Sequence, residues 1–234
     1  MRLIYSSESS LVLIRLSLIP FQIHCFTDNL KSPGTESETS GSSEKNTIVD
    51  THNMLRNKVA MGEEKRGRPG PQPYAANMMK LSWDGELATF AQTWVEQCTY
   101  GHDLCRNSER FQVGQNIHIG SKSIDLPGNL TDNILSFYNE VENFNSSNLD
   151  PFRFNDKSGH YSQLVWAETY LVGCGYVIFQ ENVWFKYMLV CNYGPAGNYE
   201  GASVYKVGRP GSGCKRGTGQ DTYYKGLCTR RNQS

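Results

Sequence analysis

Seven cysteines, five histidines and three Asn-x-Ser/Thr sequons carry most of the chemistry available to this 234-residue sequence. The cysteines are Cys25, Cys98, Cys105, Cys174, Cys191, Cys214 and Cys228. None belongs to a Cys-x-x-Cys pair, and separations of 7, 17 and 14 residues fit no common zinc finger or ribbon. Disulfides are the better chemistry, and they persist in oxidising compartments. The sequons at Asn129, Asn145 and Asn232 are glycosylation candidates and agree with secretion, although such triplets also arise by chance. Ser162 stands two residues from His160, which invites a Ser–His–Glu hydrolase. In an extended segment, residues two apart share a face but need not hydrogen-bond, so the spacing alone makes no triad. His52 continues an apolar stripe and reads as core, and His24 and His118 join no constellation.

These groups need elements to hold them. Ile48, His52, Leu55 and Val59 recur at helical spacing and predict a first amphipathic helix. Ser82 or Asp84 can cap a second, with the stripe Leu87, Phe90, Ala91, Trp94 and Cys98. A third starts near Thr131 and buries Ile134, Phe137 or Tyr138, Val141 and Phe144, with Glu140 at the edge of that stripe. Two β-rich runs, 172–179 and 183–193, are joined by Gln-Glu-Asn and read as a hairpin. A turn centred between Asn182 and Val183 sets Cys174 opposite Cys191, close enough for a cross-strand disulfide. Cys214 and Cys228 lie in a Gly-rich polar segment, where one disulfide staples a small loop. Helices and strands mixed along one chain predict an α+β sandwich of helices on a sheet.

Composition limits the partners. Lys+Arg and Asp+Glu are 23 each, and zero net charge argues against a nucleic-acid binder. The longest apolar run, residues 11–23, is too short to span a membrane and contains Arg15. Residues 1–27 read as a degenerate signal peptide; its removal would take Cys25 and leave six cysteines, which allow 15 connectivities. Residues 28–46 hold one aliphatic residue, Leu30, and read as a disordered Ser/Glu-rich linker. The core domain is expected over 47–207, and a basic extension over 208–234. From Lys206 onward, seven basic residues stand against Asp221 alone. The plainer reading of this charge is a solvated tail; the alternative is a surface for polyanionic glycans.

Two longer stretches add a resemblance. Gly159-His-Tyr-Ser-Gln-Leu-Val-Trp-Ala-Glu-Thr169 and Met188-Leu-Val-Cys-Asn-Tyr-Gly-Pro-Ala-Gly-Asn-Tyr199 resemble the two signatures of the CAP superfamily (cysteine-rich secretory, antigen-five and pathogenesis-related proteins). Gly67–Pro73, Trp94–Cys98, Tyr100–Asp103 and Val113–Asn116 resemble segments of its antigen-five branch, the arthropod venom and saliva allergens. The resemblance covers about residues 47–207. It implies a secreted, disulfide-bonded three-layer α-β-α sandwich, here with a short stapled extension. One departure stands out: the branch's N-terminal cysteines, which pair with positions like Cys98 and Cys105, are missing. The resemblance therefore leaves Cys98 and Cys105 bonded to each other or to Cys25.

The family's central cleft carries over residue by residue onto His102, His160 and Glu140. Its second acid falls at Gln115, an amide, as in the antigen-five branch. Two imidazoles with open positions can bind Zn²⁺ or Cu²⁺ weakly, and Glu140 could serve as base toward a metal-bound water. Gln115 cannot ionise and only orients a neighbour. The expectation is a monomer that needs no cofactor and binds an extracellular protein, a lipid or sterol, or a small ligand rather than turning over. Tyr161, Trp166, Tyr187 and Tyr193 are candidates to line a lipid groove, with core packing the plainer reading. The competing functions are a peptidase using His102, His160 and Glu140, with metal or with Ser162 as nucleophile, and an ion-channel modulator, for which two tail cysteines are too few.

Overall fold

The structure, a computed structural model, describes residues 38–123 and 129–231. Ten elements follow in chain order: α1 (Glu38–Ala60), β1 (Ser82–Trp83), α2 (Gly85–Val95), β2 (Gly114–Lys122), α3 (Leu130–Asn139), α4 (Gly159–Leu164), β3 (Leu171–Glu181), β4 (Trp184–Gly194), β5 (Thr218–Gln220) and β6 (Cys228–Arg230). The main sheet has the order β1-β3-β4-β2, with β1 parallel to β3 and the other pairs antiparallel. Among the described residues no helix is long and apolar enough to cross a membrane.

Three layers result because both sheet faces are apolar. One face packs Val172, Cys174, Leu189 and Cys191 against Ile48, Leu55 and Val59 of α1, Ile134 and Phe137 of α3 and Tyr161 of α4. The other packs Ile117, Val177, Met188 and Val190 against Ala91 and Val95 of α2. Asp84 caps α2 by accepting from Leu87 N at 3.0 Å. Its stripe narrows to Leu87, Ala91 and Val95, with Phe90 and Trp94 half-buried at the flanks. The contact with β3 is close: a Cβ on Gly173 would lie 2.2 Å from Ala88 N, and one on Gly175 2.4 Å from Gln92 Cα. Glycine is required because the obstacle is backbone.

The hairpin forms with the register expected from its turn. Cys174 pairs with Cys191, bonded across β3 and β4, and Glu181 pairs with Trp184 beside the Asn182-Val183 turn. Cys214 and Cys228 are also bonded. A buried arginine joins the layers: Arg56 of α1 donates to the carbonyls of Met79, Leu164, Trp166 and Thr169. Those carbonyls lie at the C-terminal end of α4 and in loops, without a helix or ladder partner, so the guanidinium satisfies them.

Four expectations need correction. First, the linker expected over 28–46 is helical from Glu38, while residues 28–37 and the expected leader lie outside the described residues. Residues 42–46 are exposed, so the absence of apolar surface was legible; but a helix anchored by Ile48, Leu55 and Val59 propagates backward without packing. Second, the third helix ends at Asn139 and continues as a 3₁₀ turn, Glu140–Asn143, that still buries Val141. Third, residues 159–164 are helical rather than extended. Fourth, the C-terminal extension is no solvated tail. Leu227 and Cys228 are fully buried, Cys228 N donates to Met78 O at 2.7 Å, and Lys80 N donates to Cys228 O at 2.8 Å.

Candidate functional site

The candidate residues sort into two hydrogen-bonded pairs. Glu140 opens the 3₁₀ turn after α3, and His160 is the second residue of α4. Glu140 Oε1 lies 2.7 Å from His160 Nδ1, and Oε2 accepts from the backbone of His160 at 2.9 Å and of Tyr161 at 3.4 Å. Ser158, the N-cap of α4, makes no side-chain cap bond, so Glu140 supplies the acceptor that the first turn lacks. A second network holds Glu140 in place. Two residues earlier, Tyr138 donates to Glu64 Oε2 at 2.8 Å, and Glu64 is also bound by Arg66 and Lys58. Burial opposes the Glu64 charge, but the Arg66, Tyr138 and Lys58 donors prevail and hold the carboxyl down at about 2.

His102 sits in the loop after α2 and Gln115 near the start of β2. Their partners fix the proton positions. Asn192 Nδ2 donates to Leu87 O, so Asn192 Oδ1 accepts from Gln115 Nε2 at 3.0 Å. Gln115 Oε1 then accepts from Asp103 N at 3.1 Å and faces His102 Nδ1 at 3.0 Å. An amide oxygen cannot donate, so His102 Nδ1 carries the hydrogen and the neutral ring keeps its lone pair on Nε2. The same logic applies to His160 beside the Glu140 carboxylate. In each pair Nδ1 is engaged and Nε2 keeps the lone pair, and no hydrogen bond, ion pair or ring contact joins the two pairs among the described residues.

A third histidine, His118, belongs here. Adjacent strand residues face opposite sides. Gln115 turns toward α2, while Asn116 donates to His160 O at 3.0 Å and His118 lies 2.7 Å from Ser136 Oγ on α3. Phe137 contacts both rings, edge-on to His118 at 6.3 Å and tilted against His160 at 5.1 Å. Burial, and after it the His160 imidazole, pushes the His118 imidazole below its ordinary value. The signal was available: Gln115, Ile117 and Ile119 alternate with Asn116, His118 and Gly120, a period-two pattern that marks a strand.

The remaining candidates disperse. Ser162 is buried; its Oγ lies 2.7 Å from Asn198 Oδ1 and 3.2 Å from Gly159 O, and no bond joins it to His160. Two positions apart on a helix point in different directions, so the Ser–His–Glu arrangement is not assembled. Tyr161, Trp166 and Tyr193 are core residues, and Tyr187 alone of the four aromatics is half-buried. Cys98 is disulfide-bonded, but not to Cys105, which is exposed and carries a free thiol; Cys25 lies outside the described residues. The Cys98–Cys105 alternative thus fails: Cys98 is buried at the end of α2, and Cys105 projects from the following loop. Asn129 and Asn145 each cap a helix or turn through Oδ1; Asn232 lies outside the described residues. Among the described residues no three His, Cys, Asp or Glu side chains are arranged to hold a metal ion. The Glu140 carboxylate is already occupied by the N-terminus of α4 and the His160 ring, and each imidazole stands as a single ligand. The residues do not preassemble a three-ligand metal site.

Comparison with known proteins adds to this geometry. The profile described as the cysteine-rich secretory protein family, CAP, matches residues 49–193. The chain is 51% identical to venom allergen 3 homolog of Dinoponera quadriceps over 70% of this chain and 72% of the relative. It is 51% identical to venom allergen 3 of Solenopsis invicta, over 70% and 72%. It is 50% identical to venom allergen 5.02 of Dolichovespula maculata, over 70% and 76%. Among solved structures it is similar to BmVAL-1 (25% identical, TM-score 0.71, covering 86% of this chain and 99% of that one). It is also similar to NaASP2 with Zn²⁺ (29%, 0.66, 79% and 94%). Na-ASP-1 aligns at 32% and 0.66 over 80% of this chain, which spans only 47% of Na-ASP-1. With both signatures in place, the same three layers and about half of the residues identical to venom allergens over 70% of its length, this chain belongs to the cysteine-rich secretory protein (CAP) family.

Proposed function

We propose that this protein is a secreted binding protein of the venom-allergen type that acts without turnover. Its contact surface includes His102 and His160, each with Nδ1 engaged and Nε2 left as a lone pair. The observation that carries this reading is the commitment of Glu140, Gln115 and Ser162, the cleft groups that would have to serve as base or nucleophile beside the histidines. Both Glu140 oxygens accept from α4 and His160, Gln115 cannot ionise, and Ser162 is buried against Asn198. Cross-strand and terminal disulfides and the family membership support secretion. The ligand classes that fit are an extracellular protein, a lipid or sterol, or a small molecule.

The competing reading is a metal-dependent peptidase. It draws on the two available Nε2 lone pairs and on NaASP2, a relative whose structure was solved with Zn²⁺. Bound there, a zinc ion would polarise a carbonyl or activate water. Digestion of an unbiased peptide library with zinc-loaded protein beside His160→Ala decides between them. The binding reading expects no cleavage by either. Cleavage by the wild type alone, abolished by a chelator and restored by zinc, overturns it.

A further inference from the structure

A groove of about 560 Å³ lies between the C-terminal extension and the core, away from the histidine pairs. Lys215, Arg216, Arg230 and Arg231 line it on the extension side, Glu168 and Tyr170 on the core side. The extension's only carboxylate, Asp221, does not face it: Asp221 is buried, pairs with Lys80 at 3.1 Å and accepts from Tyr223 N and Tyr224 N. Glu168 is thus the one acid in the groove, and it pairs with Lys215 at 2.6 Å. Arg230 lies over the Tyr170 ring at 4.1 Å and keeps its charge. Arg216 and Arg231 are exposed and have no carboxylate partner among the described residues. Asn77 and Thr218 add uncharged polar groups.

The cationic wall is fixed rather than loose. The Cys214–Cys228 bond, the β5–β6 pairing and the bond from Arg231 N to Gly217 O hold its shape, and Cys228 is tied to both Met78 and Lys80. Four cations on a fixed backbone against one acid, in a chain of zero net charge, form a local anion site. Its chemistry calls for more than one anionic group on one ligand, because the arginines are spread along the extension wall of the trough. The trough is concave and of oligosaccharide size rather than flat, and Asn77 and Thr218 suit hydroxyls. Arginine dominates, which favours forked contacts to sulfate or carboxylate oxygens.

We infer that this groove binds a sulfated oligosaccharide. The site shares no residue with the histidine pairs, so its failure leaves the reading of the cleft untouched.

The test is titration of the full chain with a fluorescent heparin-derived hexasaccharide. Saturable binding is expected, weakening as salt rises. Arg216→Ala/Arg231→Ala should weaken it at least about tenfold, two exposed phosphate-like contacts being worth about that much. Arg209→Ala/Lys225→Ala removes the same charge outside the groove and should leave affinity within about twofold. Glu168→Gln frees Lys215 and should tighten binding several-fold, a gain that damage to the fold would not produce. Absence of saturable binding overturns the inference, as does equal loss in the two double variants. Equal affinity for the desulfated hexasaccharide overturns it too. Competition by tripolyphosphate or phosphatidylserine vesicles at equal charge that is as strong as by the unlabelled hexasaccharide would reassign the groove to phosphate or to membrane and likewise overturn it.

Discussion

The His52 imidazole lies wholly inside the protein, between Ile48 O at 2.7 Å and the Tyr193 hydroxyl at 2.9 Å. Burial, against the help of the Ile48 carbonyl, lowers its pKa from 6.5 to about 4. The folded state therefore binds fewer protons than the unfolded chain between these values, and stability must fall as pH drops from 6.5 through 4. The full difference approaches about 3 kcal/mol. Urea titrations at pH 7 and pH 4 should show that loss in the wild type and a smaller one in His52→Gln; parallel losses would clear His52 of the effect. Glu140 offers a second test at this scale. As the acceptor for the first turn of α4, its replacement in Glu140→Ala should cost about 1–2 kcal/mol even if the protein catalyses nothing. An unchanged melting temperature would show that the cap is dispensable. The burial of His52 was legible in the helical spacing of its neighbours. The identity of the cleft residues was legible only through the signatures, because neither His102 nor His160 lies near Gln115 or Glu140 in sequence. His118 was missed because β2 was not recognised as a strand.

At the scale of elements, two contacts decide whether the layers close. A methyl group at Gly173 would meet the backbone of α2, which has no rotamer to change. Gly173→Ala should therefore cost about 3 kcal/mol by forcing the helix off the sheet. A normal unfolding midpoint would mean that α2 shifts freely. On the opposite face, Arg56→Met keeps the apolar stem and removes the guanidinium from four carbonyls. Orphaned buried carbonyls make a loss of at least about 3 kcal/mol the expected result in the same assay. The hairpin and its disulfide could be read from turn position and strand alternation, since both are local. The role of Arg56 could not: its partners are backbone atoms of residues 79–169, and nothing in a sequence marks a carbonyl that lacks a partner. The helical start at Glu38 was hidden for a related reason, since its stability comes from the packed half of α1 rather than from its own residues.

For the whole molecule, the extension is the part whose role changed most between sequence and structure. Composition marked it as basic and stapled, but not that it folds back to bury Leu227 and build one wall of a groove. Cys214→Ser/Cys228→Ser should cost about 3 kcal/mol for a loop of this length and abolish hexasaccharide binding together. Loss of stability with binding intact would separate the wall from the site. The strand order has its own consequence. β2 pairs only with β4, whose residues lie some seventy positions later in the chain. While the polypeptide is still emerging from the ribosome, α1, α2 and β2 are complete but have no sheet to cover. Their apolar stripes stay without their sheet until residue 194 is free, so the domain closes in a late step that depends on long-range pairing.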